Sequence, residues 1–111
     1  MENPKIYIAG KVSGLADHNA PKFEAATREL RSRGYIVRSP HEICTGIEPE
    51  KWEDCMKQCI KVMLECDLIL MLDDWYDSRG SKIEYGLAKE LCMPTEMYDT
   101  FINRLNLKPI A

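Results

Sequence analysis

Residues 68–72 read Leu-Ile-Leu-Met-Leu, an apolar run with no polar break after Asp67. A strand with one wet face alternates apolar and polar side chains. An unbroken run needs cover on both faces, as in a parallel sheet flanked by helices. It is also the longest apolar stretch in the chain and is far too short to span a bilayer.

The flanking segments supply the other layers. Lys5-Ile-Tyr-Ile-Ala9 is a β-branched and aromatic run ending at Gly10, and Tyr35-Ile-Val-Arg-Ser39 is a second, closed by Pro40. Between them Gly10 to Asn19 is loop-like. Phe23, Ala26, Thr27 and Leu30 then form the i, i+3, i+4, i+7 stripe of a helix, with Pro21 in its first turn and Gly34 at its stop. His41 to Pro49 reads as a loop. A second helix is expected from about Glu50 to Glu65, with Trp52, Met56, Cys59 or Ile60, and Met63 on its apolar side. After the apolar strand come a polar loop from Asp73 to Ser81 and a third helix from Lys82 to Cys92. Pro94 to Tyr98 reads as a fourth strand and Thr100 to Leu107 as a short helix or tail.

This alternation predicts an α/β fold: a doubly wound parallel sheet of about four to five strands, order 2-1-3-4, with helices on both faces. In such sheets ligands bind beyond the carboxyl ends of the strands where the winding reverses, here after strands 1 and 3. The 111 residues make one domain, with a net charge of −3 that argues against a partner such as a nucleic-acid polymer. A single nucleotide held by backbone N–H groups stays compatible with that charge.

The five cysteines are odd in number and include no Cys-x-x-Cys, and Met1 to Lys5 is no signal peptide. The expectation is a cytoplasmic protein with reduced cysteines used as small core residues. Cys55 and Cys59 lie four apart, but zinc normally takes four ligands, and neither His18 nor His41 has a motif-like spacing. No metal and no cofactor are therefore expected.

Two loops can carry chemistry. Gly10, Lys11, Ser13 and Gly14 follow the first strand, where glycines let the backbone turn N–H groups toward an anion. The loop after the third strand holds Asp73, Asp74, Trp75, Tyr76, Ser78, Gly80 and Ser81: acids for catalysis, aromatics to stack on a flat ring, and donors for a phosphate or sugar. Glu84 has two readings. Ser81-Lys-Ile-Glu84 fits a capping box, in which the glutamate serves its own helix start. Alternatively, Glu84 heads a buried stripe with Ala88 and Leu91, where a desolvated carboxylate suits nucleophilic or acid/base work. Tyr7 reads as a core aromatic whose hydroxyl finds a partner, and Asp67 as a turn or capping residue.

Four blocks, Lys5-Ile-Tyr-Ile-Ala-Gly-Lys-Val-Ser-Gly14, Arg33-Gly-Tyr-Ile-Val-Arg-Ser-Pro40, Glu65-Cys-Asp-Leu-Ile-Leu-Met-Leu72 and Ser78-Arg-Gly-Ser-Lys-Ile-Glu-Tyr-Gly-Leu-Ala88, resemble the nucleoside 2-deoxyribosyltransferase superfamily, especially its small bacterial and phage members. The resemblance covers about residues 5–98 and leaves 99–111 as a tail. It implies a doubly wound sheet and a glutamate that attacks C1′ of the sugar to displace the base, the logic of a retaining glycosidase. Glu84 falls on that glutamate. Tyr7 falls on a tyrosine near the reacting sugar, Ser78 and Gly80 on positions that hold the 5′ hydroxyl or phosphate, and Gly10, Lys11 and Ser13 in the first substrate loop. The aspartate that the superfamily usually carries on the helix before the third strand falls on Cys59, which cannot supply a carboxylate. Asp73, Asp74 or Asp54 must then substitute, or activity is weak, altered or absent.

The expected function is a nucleoside or nucleotide N-glycosidase or deoxyribosyltransferase acting on a nucleoside or nucleoside 5′-monophosphate. The alternatives are a non-catalytic nucleotide-binding or sensing domain and a module acting through its surface helices. Trp52, Met56, Met63, Phe101, Ile102, Leu105 and Leu107 offer more apolar surface than four strands easily cover, so a homodimer is expected. The resemblance also implies subunits that complete each other's sites.

Overall fold

The structure is a computed structural model that describes residues 4–12, 15–48 and 51–107. Its elements run β1 (Lys5–Ala9), α1 (Ala20–Ser32), β2 (Ile36–Arg38), α2 (Pro40–Ile43), α3 (Trp52–Met63), β3 (Leu68–Met71), α4 (Arg79–Glu90), β4 (Thr95–Met97) and α5 (Tyr98–Asn106). The four strands are all parallel and pair in the order β2-β1-β3-β4. The doubly wound α/β architecture and the strand order agree with the sequence reading.

Strand periodicity explains the two covered faces. Ile6 and Ile8 of β1, with Leu70 of β3 and Leu72 beyond it, pack with Phe23, Ala26 and Leu30 of α1 and Phe101 of α5. Tyr7 and Ala9, with Ile69 and Met71, point the other way and pack with Cys59 and Met63 of α3 and Ala88 of α4. Successive side chains in a strand leave on opposite faces, so a strand buried on both must be apolar throughout. Asp67 fastens the start of β3 to β1: its carboxylate accepts the Lys5 amide at 2.8 Å, and its own amide donates to the Lys5 carbonyl at 2.8 Å.

Three expectations need correction. The segment read as a loop from His41 opens with α2, because Pro40 suits a first helical position and Ser39 precedes it in extended conformation. Helix α4 starts at Arg79, three residues before the expected Lys82, because Ser78 is its N-cap: its Oγ accepts the Ser81 amide at 3.1 Å. The span set apart as a tail from residue 99 takes the helical alternative through Asn106, since α5 packs against β3 and β4 and Phe101 meets Tyr35 edge-on at 5.7 Å. Of the apolar residues expected at a subunit contact, Met63 and Phe101 are buried, Ile102 and Leu105 pack on the core, Trp52 and Met56 are half-buried, and Leu107 is 81% exposed. No helix among the described residues is long and apolar enough to cross a membrane.

The exits of β1 and β3 approach closely at Gly10. A Cβ there would lie 2.8 Å from Leu72 Cδ1, 3.0 Å from Leu72 Cβ and 3.2 Å from Asp74 Oδ1. Gly10→Ala is therefore expected to destabilise the fold by about 1–3 kcal/mol, the usual cost of overpacking, as read from denaturant midpoints.

Candidate active site

On the face covered by α3 and α4, a cavity of about 790 Å³ opens beyond the carboxyl ends of β1, β2 and β3. Tyr7 and Glu84 lie at its base, Gly10 and Lys11 follow from β1, Pro40 and His41 from β2, and Asp77 to Ser81 from the segment after β3. The opposite wall is the start of α3, with Trp52, Met56 and Cys59. The expected crevice after strands 1 and 3 is present, widened by the turn after β2.

Glu84 is only 3% exposed. Gly80, Ser81, Glu84 and Ala88 form the buried side of α4, whereas Leu91 lies beyond the helix and is exposed. The capping-box reading fails because Ser78, not Ser81, caps the helix. Ser81 instead donates its hydroxyl to the Gly10 carbonyl at 2.9 Å, tying α4 to the end of β1. Glu84 turns inward, and its Oε2 accepts a short hydrogen bond from the Tyr7 hydroxyl. Its Oε1 has no hydrogen-bond partner among the described residues.

Burial pushes the Glu84 carboxyl up to about 7, against the pull of the Tyr7 hydrogen bond, which favours the ionised form. Burial, and then the Glu84 charge, hold the Tyr7 hydroxyl well above its ordinary value, so it remains a proton donor. Cys59 packs beside this pair: burial raises its thiol to about 11, with the nearby Tyr7 hydroxyl opposing and the Glu84 charge adding to the rise. The floor of the cavity thus holds one ionisable carboxyl poised near neutrality, one phenol and one neutral thiol.

The remaining expected site residues divide. Lys11, Ser78 and Gly80 line the cavity with Gly10. Ser13 and Gly14 lie outside the described residues. Asp73 and Asp74, expected to act in catalysis, do not line it. Asp74 accepts the Lys11 amide at 2.9 Å and Asn19 Nδ2 and Lys22 Nζ at 3.1 Å each, while Asp73 pairs with Lys22. They fasten the loop after β1 to α1, and Asp54 is exposed on α3, so none of the three lines the cavity beside Cys59. Trp75 is partly buried and stacks on Tyr85 at 4.6 Å against the core, outside the cavity, and Tyr76 is 67% exposed.

The cavity's aromatic wall is Trp52, with the Arg79 guanidinium 4.3 Å from its ring centre. Sequence reading assigned Trp52 to a helix stripe, and only the packing of α3 across from α4 gives it this place. His41 was also missed. Its Nε2 sits 2.7 Å from the His18 carbonyl, which can only accept, so Nε2 carries a proton there, and Nδ1 is buried with no hydrogen-bond partner among the described residues. The first turn of α4 supplies anion-binding capacity, since the Arg79 and Gly80 amides have no acceptor among the described residues. Gly80 also fits tightly under α3, where a Cβ would lie 2.8 Å from Met56 Sδ.

The cysteines overturn one expectation. Cys44 and Cys55 are joined in a disulfide with a Cα separation of 5.5 Å, leaving Cys59, Cys66 and Cys92 free. The bridge clamps α2 to α3 and closes the loop that forms one side of the cavity.

The family described as a domain of unknown function (DUF4406) matches residues 4–97. The chain belongs to that family. No curated protein matches it. The DUF4406 span contains every residue that lines the cavity and ends just before α5.

Glu84 has a stability signature. Below its ordinary value of 4.5 the carboxyl is neutral both folded and unfolded; between 4.5 and about 7 only the unfolded chain ionises, so stability falls as pH rises. Above that window the full deficit, on the order of 3 kcal/mol, is present. Glu84→Gln keeps an acceptor for Tyr7 and removes the charge. The variant is expected to be more stable than the parent at about pH 8, with the difference shrinking toward zero near pH 4.5, in urea titrations across that range.

Proposed function

We propose that this chain is a nucleoside or nucleotide N-glycosidase or 2-deoxyribosyltransferase, as the resemblance to the deoxyribosyltransferase superfamily implies. The observation that carries the reading is Glu84, buried at the base of the cavity, held through one oxygen by Tyr7 and ionising near neutrality. In this reading Oε1 attacks C1′ as the C1′–N bond breaks, and the base leaves with the bonding electrons and takes a proton from water in the cavity. Water or a second base then attacks C1′ and releases the Glu84 carboxylate. Trp52 offers a face for the base. The amides of Arg79 and Gly80, with Ser78 and Lys11, suit a 5′ hydroxyl or phosphate. Cytoplasmic action and a homodimer belong to the same proposal.

Cys59 favours a second reading, a nucleotide-binding or sensing domain without turnover. It touches Tyr7 where the resemblance expects an aspartate, and the sequence-proposed substitutes lie outside the cavity.

Incubation with a panel of nucleosides and 5′-monophosphates, followed by chromatography, is expected to release free base. Glu84→Gln should lower that rate by at least about a thousandfold, a loss typical of a covalent nucleophile, while still folding. An unchanged rate would remove the enzyme reading. Because the attacking form is the carboxylate, kcat/KM should rise with pH through about 7. Tyr7→Phe removes a hydrogen bond that favours ionisation and should move that limb to higher pH. Saturable ligand binding without base release, with release gained in Cys59→Asp, would establish the sensing reading instead.

A further inference from the structure

Three of the five cysteines meet at the cavity wall. Cys44 caps the end of α2, and Cys55 and Cys59 stand one turn apart on α3, with all three Sγ atoms within 4.8 Å of one another. Cys59 Sγ lies 3.5 Å from Cys44 Sγ and 4.0 Å from Cys55 Sγ. A tetrahedral zinc thiolate with bonds of about 2.3 Å has sulfur–sulfur edges of about 3.8 Å, between those two distances. The third edge is the Cys44–Cys55 bond.

We propose that Cys44, Cys55 and Cys59 form a zinc site once the Cys44–Cys55 disulfide is reduced, with the fourth coordination position open to the cavity. A dithiol reductant supplies two electrons and two protons to the bridge and closes to its own disulfide. Zinc then displaces one proton from each of the three thiols, and water occupies the fourth position. Soft sulfur ligands select zinc over magnesium or calcium, and three protein ligands with one open position are the arrangement of an accessible site, whereas closed structural sites use four. Linear motifs do not reveal this set because Cys44 reaches it from a different helix. Contact between Cys59 and Tyr7 places the ion beside the base of the cavity. The inference stands apart from the glycosyl-transfer reading, and its test needs no activity.

The full chain, reduced with a dithiol and freed of it under argon, is titrated with cobalt(II) and then zinc. The expected result is one cobalt per chain with sulfur-to-metal charge transfer and the strong visible bands of a tetrahedral site, bleached by zinc and absent from the oxidised chain. Cys59→Ser, which leaves two of the three thiolates, should lower the charge-transfer intensity by about a third or more, while Cys66→Ser and Cys92→Ser should keep it whole. Independently of any variant, zinc should shield three of the five thiols of the reduced chain from an aromatic disulfide reagent. Absence of the cobalt bands, their persistence at undiminished intensity in Cys59→Ser, or shielding of fewer than three thiols would overturn the proposal.

Discussion

Both inner strands of this sheet are enclosed by helices on two sides, and that enclosure determines where polar chemistry can survive. Within it β1 alternates Ile6 and Ile8 toward α1 and α5 with Tyr7 and Ala9 toward α3 and α4. Tyr7 is therefore the strand residue that carries a hydroxyl into the interior, and burial obliges that hydroxyl to find a partner. Glu84 of α4 supplies it from 77 positions away in sequence. Each member of the pair is costly without the other: an unpaired phenol would lose its hydrogen bond, and an unpaired carboxylate would lose the donor that offsets its desolvation.

The strand order and the location of the crevice were legible in the sequence because they follow from periodicities of about two and 3.6 residues and from the handedness of crossovers. Tyr7 and Glu84 were legible for related reasons, one as an aromatic in an enclosed strand, the other as an acid beside Ala88 on a buried helix side. Sequence pattern left Glu84 between capping and catalysis. Ser78 removes the capping reading, because its Oγ already satisfies the Ser81 amide and the helix starts too early for the box.

What was not legible depended on which loop faces which helix. Asp73 and Asp74 leave β3 at the right end of the sheet, yet Lys22 and Asn19 on the α1 side engage them. Trp75 and Trp52 are both tryptophans near element starts, and only the packing of the helices stacks one on Tyr85 against the core and brings the other to the cavity. The cysteine cluster is similar. Spacing exposes the pair on α3, but the approach of Cys44 depends on the turn of α2 after Pro40.

The Trp52–Arg79 stack has a kinetic consequence. It links the start of α3 to the start of α4 across the cavity, and Arg79 itself is exposed. Arg79 can leave the Trp52 ring by a rotamer change, which takes picoseconds to nanoseconds, in place of slower loop or domain opening. Whatever occupies the Trp52 face would therefore wait on the swing of one exposed side chain and not on a loop.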